Sequence, residues 1–204
     1  MTTTRQTRGL ARVAMLIAGI ALASASYSAR DAGAAETVTR FGSTLAQACF
    51  HASYAHQPSR SGLADCDAAL TEELLSRSDR AATLVNRGIL RVLQNDKEGA
   101  LADYAASIAL DPNLGDAYIN RGMVYVRESG KETLAIEEIN KGLRIGSRDE
   151  SVALFGRALA HEALGRISDA YHDYKRAAEL KPQWTAPQIE LARFTIRRNV
   201  PQAE

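Results

Sequence analysis

The chain of 204 residues lacks most of the features that announce chemistry or a membrane. It contains no glycine-rich phosphate loop, no G-x-S-x-G elbow and no H-E-x-x-H pair. The local motifs that seat a nucleotide, a serine nucleophile or a catalytic zinc are therefore missing. Cysteine is scarce: Cys49 and Cys66 are the whole supply, beside four histidines, His51, His56, His161 and His172. Their spacing fits no standard zinc pattern. No apolar run reaches the ~20 residues of a membrane-spanning helix. Charge of one sign is absent too, with 25 Lys+Arg against 24 Asp+Glu. A nucleic-acid partner would call for a concentrated basic face, which this balance argues against. The expectation is a protein without catalytic residues, cofactor, metal or nucleic-acid partner.

What is present begins with a leader. Arg5, Arg8 and Arg12 precede an apolar run from Val13 to Ala23, which ends in small residues at Ala23–Ser24–Ala25. A basic start, a short apolar centre and an A-x-A-like end describe a secretory signal peptide over 1–25. Cleavage falls after Ala25, or as late as Ala35; an uncleaved amino-terminal anchor is the alternative. No cysteine follows the run closely, which argues against a lipid anchor. Losing the three arginines turns the formal charge from +1 to −2. The small, polar stretch at 26–42 reads as a flexible lead-in. The expected location is periplasmic or secreted, with no membrane span in the mature chain.

The rest is organised around Ser151 to Trp184. Leu154, Ala158 and His161 sit at helical spacing, Gly165 marks a turn, and Ile167, Ala170, Tyr174 and Ala177 form a second helical series. Ala158, Ala170 and Ala177 keep bulk low where two antiparallel helices cross, with Tyr174 beside them. Pro182 stops the second helix. The unit recurs at Ala81–Leu114, where Leu84, Gly88, Ala100, Tyr104 and Pro112 stand in register. It recurs again at Gly115–Glu150 through Tyr118, Gly122, Tyr125, Ala135, Ile139 and Gly142. This middle copy departs twice. An extra residue near Glu128–Lys131 predicts a longer turn, and Gly146–Ser147 in place of proline predicts a glycine-type helix end.

A period of ~34 residues with this pattern of small side chains resembles the tetratricopeptide repeat. The resemblance implies an all-α, right-handed solenoid of antiparallel helix pairs that binds a protein or peptide without catalysis. It also implies that the first helix of each pair lines a concave groove. The groove positions are then Val85, Asn86, Ile89 and Val92; Ile119, Asn120, Met123 and Val126; and Phe155, Leu159 and Glu162. An asparagine amide both donates to and accepts from a peptide backbone, so Asn86 and Asn120 on an apolar wall suit an apolar peptide. The lysine and arginine cluster with which the family clamps a terminal carboxylate is missing. Asn86–Arg87–Gly88 and Asn120–Arg121–Gly122 have a second reading, as ties between successive repeats.

Residues 43–80 read as a divergent first repeat, because LADCDAAL at Leu63–Leu70 parallels LADYAASIAL at Leu101–Leu110. Cys66 then takes the slot of Tyr104 and Tyr174, and Cys49 faces it from the preceding helix. In an exported protein such a pair reads as a disulfide. Two free buried thiols, or a metal site with His51 or His56, are the alternatives. His56–Gly62 reads as the turn inside this pair. Asp65, Asp103 and Asp173 share one slot and are assigned to solvent exposure or inter-repeat hydrogen bonds. His161 is expected as a satisfied, half-buried histidine, with His172 on the outer face. Residues 185–198 form an amphipathic end helix, capped by Thr185 with Pro187 in its first turn. Its Ile189, Phe194 and Ile196 close the solenoid or serve self-association, so a homo-oligomer or an envelope-assembly subunit is the competing expectation.

Overall fold

The computed structural model describes residues 44–55 and 60–198. The expected leader at 1–25, the lead-in at 26–42 and the turn residues 56–59 lie outside them. The described part is all α-helical: α1 (Thr44–Tyr54), α2 (Arg60–Glu72), α3 (Arg77–Leu93), α4 (Lys97–Leu110), α5 (Gly115–Val126), α6 (Glu132–Ile145), α7 (Glu150–Ala163), α8 (Ile167–Leu180) and α9 (Thr185–Arg198). Each odd-numbered helix up to α7 pairs with the one that follows it, and each pair packs on the next. The result is an α-solenoid of four pairs closed by α9.

Local chemistry sets the boundaries. Ser76 caps α3 by accepting from the Asp79 N–H at 3.1 Å. Asp96 does the same for α4 through Gly99, and Asp149 for α7 through Val152. Each side-chain oxygen satisfies one of the amide donors that a helix start leaves open. The Ser76 cap starts α3 at Arg77, a turn earlier than the repeat boundary at 81. A second boundary needs correction. The HQPSRSG stretch is not a turn throughout, because α2 begins at Arg60 and Gly62 is buried within it. A first helical turn tolerates these residues because its N–H groups need no intrahelical partner. In the third pair, Gly146 ends α6 at φ 111°, a conformation that costs glycine nothing.

The core is a string of small clusters, one per pair. Tyr104 and Tyr174 are fully buried, Tyr174 against Ala158 and Ala170. Gly88 faces Tyr104 so closely that a Cβ there would meet the ring at 2.5 Å. Gly122 faces Ile139 in the same manner at 2.7 Å. In the first pair that meeting point holds Cys49 and Cys66, whose sulfurs are bonded at 2.07 Å. At the other end, Leu191 and Phe194 of α9 pack against Ala158 and Tyr174, while Ile189 stays exposed. Among the described residues, no helix is long and apolar enough to cross a membrane.

Candidate partner-binding face

Three arginines hold the pairs that present this face. Arg87, Arg121 and Arg157 occupy one slot on α3, α5 and α7, immediately before the small residue that admits the second helix. Each grips a carboxylate on its own second helix. Arg87 donates to Asp103 at 2.6 and 3.0 Å, Arg121 to Glu138 at 2.8 and 3.1 Å, and Arg157 to Asp173 at 2.7 and 2.8 Å. Planar two-point pairing of this kind fixes geometry as well as charge. Asp103 and Asp173 are buried, which corrects their assignment to solvent exposure or inter-repeat bonding: they bind inside their own pair. Two of the arginines also tie neighbouring pairs. Arg87 also reaches Asp67 of the preceding pair at 2.7 Å, and Arg157 reaches Asn140 at 2.6 Å. The Asp103 bond raises the Arg87 pKa, and Asp173 does the same for Arg157.

The apolar positions divide in two. Val85 and Ile119 are 5% and 4% exposed, closed in between their own second helix and the next first helix. Their surface is consumed by packing. Ile89, Val92, Met123, Val126, Phe155 and Leu159 are half-buried at the edges of the same clusters. Phe155 rests on Tyr174 and Trp184, with ring centroids 5.5 and 4.9 Å apart. The asparagines differ as well. Asn86 accepts from the Ser53 hydroxyl of the first pair at 3.2 Å, so it does tie two repeats. Asn120 donates to the Asp116 carbonyl one turn back in its own helix. Glu162 accepts from the Tyr174 hydroxyl at 3.0 Å and pairs with Arg193 of α9.

The structure adds residues that the repeat pattern did not single out. Phe50 stands one place after Cys49, as Ile89, Met123 and Leu159 follow Gly88, Gly122 and Ala158. It is 36% exposed and stacks on Tyr54 at 5.9 Å. The Arg148 guanidinium lies 6.0 Å from its ring centroid, within cation–π range. Arg148 belongs to the turn after α6, which Asp116 organises. One Asp116 oxygen accepts from the Ser147 hydroxyl at 2.7 Å and from the Arg148 N–H at 3.1 Å. The register of Cys49 was the available signal for Phe50. Nothing local signals Arg148, because its contact joins the first pair to the turn after the third.

His161 is half-buried but not satisfied. Its Nδ1 finds no hydrogen-bond partner, with Asp169 at 3.9 Å and Asp173 at 4.0 Å from the ring nitrogens. Burial lowers its pKa, opposed by those two carboxylates. His172 is exposed. Among the described residues, no group of three or more His, Cys, Asp or Glu could hold a metal ion.

Comparison with known proteins fits this geometry. The tetratricopeptide repeat family model matches residues 152–183. No curated protein matches the sequence. The first TPR of Spaghetti (RPAP3), bound to HSP90 peptide SRMEEVD, is 25% identical at a TM-score of 0.54, covering 60% of this chain and 96% of that one. The Arabidopsis OM64 TPR domain is 21% identical at 0.53, covering 61% of this chain and all of that one. A MamA double mutant is 17% identical at 0.56, covering 76% and 86%. The last two likenesses speak for the fold alone. Residues 152–183 are matched by the tetratricopeptide repeat model, and the same small-residue crossing is built into the two pairs before them, so the described helices take the tetratricopeptide-type fold.

Proposed function

We propose that the protein is an exported, non-catalytic scaffold of the cell envelope, which binds a protein or peptide partner along the face of its first helices. One observation carries the reading: Phe50, Ile89, Met123 and Leu159 form a part-exposed apolar row, one from each of four successive pairs. Asn120 and Arg148 supply polar contacts beside it. A row spaced by the repeat suits a chain that lies along the solenoid and buries one side chain per pair. The relative bound to an HSP90 peptide supports the use of such a face for peptides. That peptide carries two glutamates before its final valine and aspartate. This face offers no lysine or arginine in the row itself, so an apolar ligand suits it better. Export is supported by the basic, apolar and small-residue leader and by the paired cysteines.

Display selection of peptides on the processed protein tests the reading. Ligands should carry spaced apolar residues, and Phe50→Ala with Asn120→Ala should weaken them at least tenfold while helicity holds. Unchanged binding in that double variant would remove the face from consideration. The exposed Ile189 on α9 favours one alternative, self-association through the end helix. Solution mass with and without the residues after Trp184 decides it.

A further inference from the structure

The first pair is built differently from the other three. Those three each carry an arginine–carboxylate clamp and a small residue against a large one: Gly88 on Tyr104, Gly122 on Ile139, Ala158 beside Tyr174. The first pair has neither. Ala48 stands in the arginine slot, before Cys49, and the small–large contact is replaced by two cysteines. Its core holds Cys49, Cys66, Ala52 and Leu63, with Leu90 and Leu93 borrowed from α3. Beyond the bond, the Leu45 and Ala46 N–H groups at the start of α1 donate to the carboxylate of Glu73, the residue after α2, at 3.0 and 3.3 Å. The pair meets α3 through the Ser53–Asn86 hydrogen bond, the Arg87–Asp67 ion pair at 2.7 Å, the Arg80 bond to the Leu70 carbonyl at 2.7 Å and the weak approach of the Cys49 sulfur to the Thr83 carbonyl, at 3.9 Å.

We infer that the Cys49–Cys66 bond is the condition for the first pair to dock, so the four-pair array is complete only where a disulfide oxidant is present. Both sulfurs are fully buried in the assembled array, so the bond acts when the pair forms and is not a switch thrown in the folded protein. In the forming step the two thiols lose two protons and two electrons, the S–S bond closes, and a disulfide oxidant is reduced to its dithiol by exchange. Without the bond, α1 and α2 bring too little apolar bulk to offset the entropy of ordering them, while α3 to α8 keep their clamps and aromatic contacts. The bond thereby decides whether Phe50 and Ser53 join the face. That last consequence rests on the functional reading above; the docking condition does not.

Hydrogen exchange on the processed protein tests the condition, after refolding with a small disulfide oxidant or with excess dithiothreitol. Amides of α1 and α2 should lose protection by about a hundredfold in the reduced protein, the scale of loop closure over a span of 17 residues. Those of α3 to α8 should not change. A Cys49→Ala/Cys66→Ile variant, which restores a small–large pair, should exchange identically with and without dithiothreitol. Equal protection of α1 and α2 in both wild-type preparations would overturn the inference. So would loss of protection along the whole solenoid, or a dithiothreitol response in the cysteine-free variant. Peptide binding is the separate readout. If α1 and α2 open on reduction but a selected peptide binds both forms equally, the docking condition stands and the first pair's part in the face falls.

Discussion

Gly88 and Tyr104 occupy what would otherwise be the same space: a Cβ on the glycine would stand 2.5 Å from the ring carbon of the tyrosine. The ring is fully buried and cannot swing away. Alanine favours a helix interior over glycine by up to about 1 kcal/mol, but overpacking a rigid neighbour costs about 1–3 kcal/mol. Gly88→Ala should therefore destabilise by about 1–2 kcal/mol in urea denaturation. Gly156 is the control. The atom nearest a Cβ there is the Met123 sulfur, in a flexible side chain. Gly156→Ala should change stability by less than about 1 kcal/mol. Its effect should appear in binding, because Met123 must move along the apolar row.

Asp103 and Asp65 share a repeat slot but not an environment. Asp103 is buried under the Arg87 and Arg91 guanidiniums, at 2.6 and 3.0 Å. Removing one member of a buried pair strands the other charge, at about 3–5 kcal/mol when both are fully enclosed. Arg87 keeps 19% of its side chain in solvent and a second partner in Asp67. About 2–3 kcal/mol is therefore expected for Asp103→Ala. Asp65 has Ala48, not arginine, in the facing slot, and its alanine variant should stay within about 0.5 kcal/mol of the parent. Equal losses from the two substitutions would show that the slot, and not the clamp, sets the cost.

Particular residues show how far the chain could be read without coordinates. The crossing residues Ala158, Ala170 and Tyr174 were legible because contact between two packed helices imposes a spacing on small and large side chains, and that spacing survives in sequence. The clamps were harder. The carboxylate follows its arginine by 16 residues in two pairs and by 17 in the third, where the turn at Ser129–Gly130 is longer and the acid is Glu138. A fixed-spacing search for aspartate misses that member. Val85 and Ile119 carry the right apolar character for an open face, yet the next pair covers them; composition cannot say which side of a helix a neighbour takes. Arg148 on Phe50 depends on the path of three successive pairs, which no local window contains.

Arg148 separates stability from recognition. Its side chain is 72% exposed, and its Nε lies 3.8 Å from Asp116. Exposed pairs of this kind contribute about 0–1 kcal/mol. Arg148→Ala should leave the urea midpoint nearly unchanged. The same variant uncovers the Phe50 ring and removes the cation beside the row, so affinity for selected peptides should change at least threefold. A large loss of stability would instead mean that the turn after α6 depends on the guanidinium and not on the Ser147 hydroxyl and Arg148 N–H bonds to Asp116.

His161 gives the fold a pH dependence whose sign follows from burial. Desolvation lowers its folded pKa below the ordinary 6.5; Asp173 and Asp169 oppose that shift, while Arg157 and Arg166 reinforce it. Below about pH 6.5 the unfolded chain takes up a proton that the folded chain resists, so folding stability falls with pH through that range. Above it both states are neutral at this site and the contribution is constant. The slope from one proton cannot exceed about 1.4 kcal/mol per pH unit. Urea midpoints between pH 7.5 and 5 should therefore decline for the parent. His161→Gln, which cannot titrate, should show a shallower decline over the same interval. An equal slope in the variant would place the sensitive group elsewhere. A steeper loss in the parent above pH 7 would mean that the ring gains its proton on folding, reversing the sign argued from its burial.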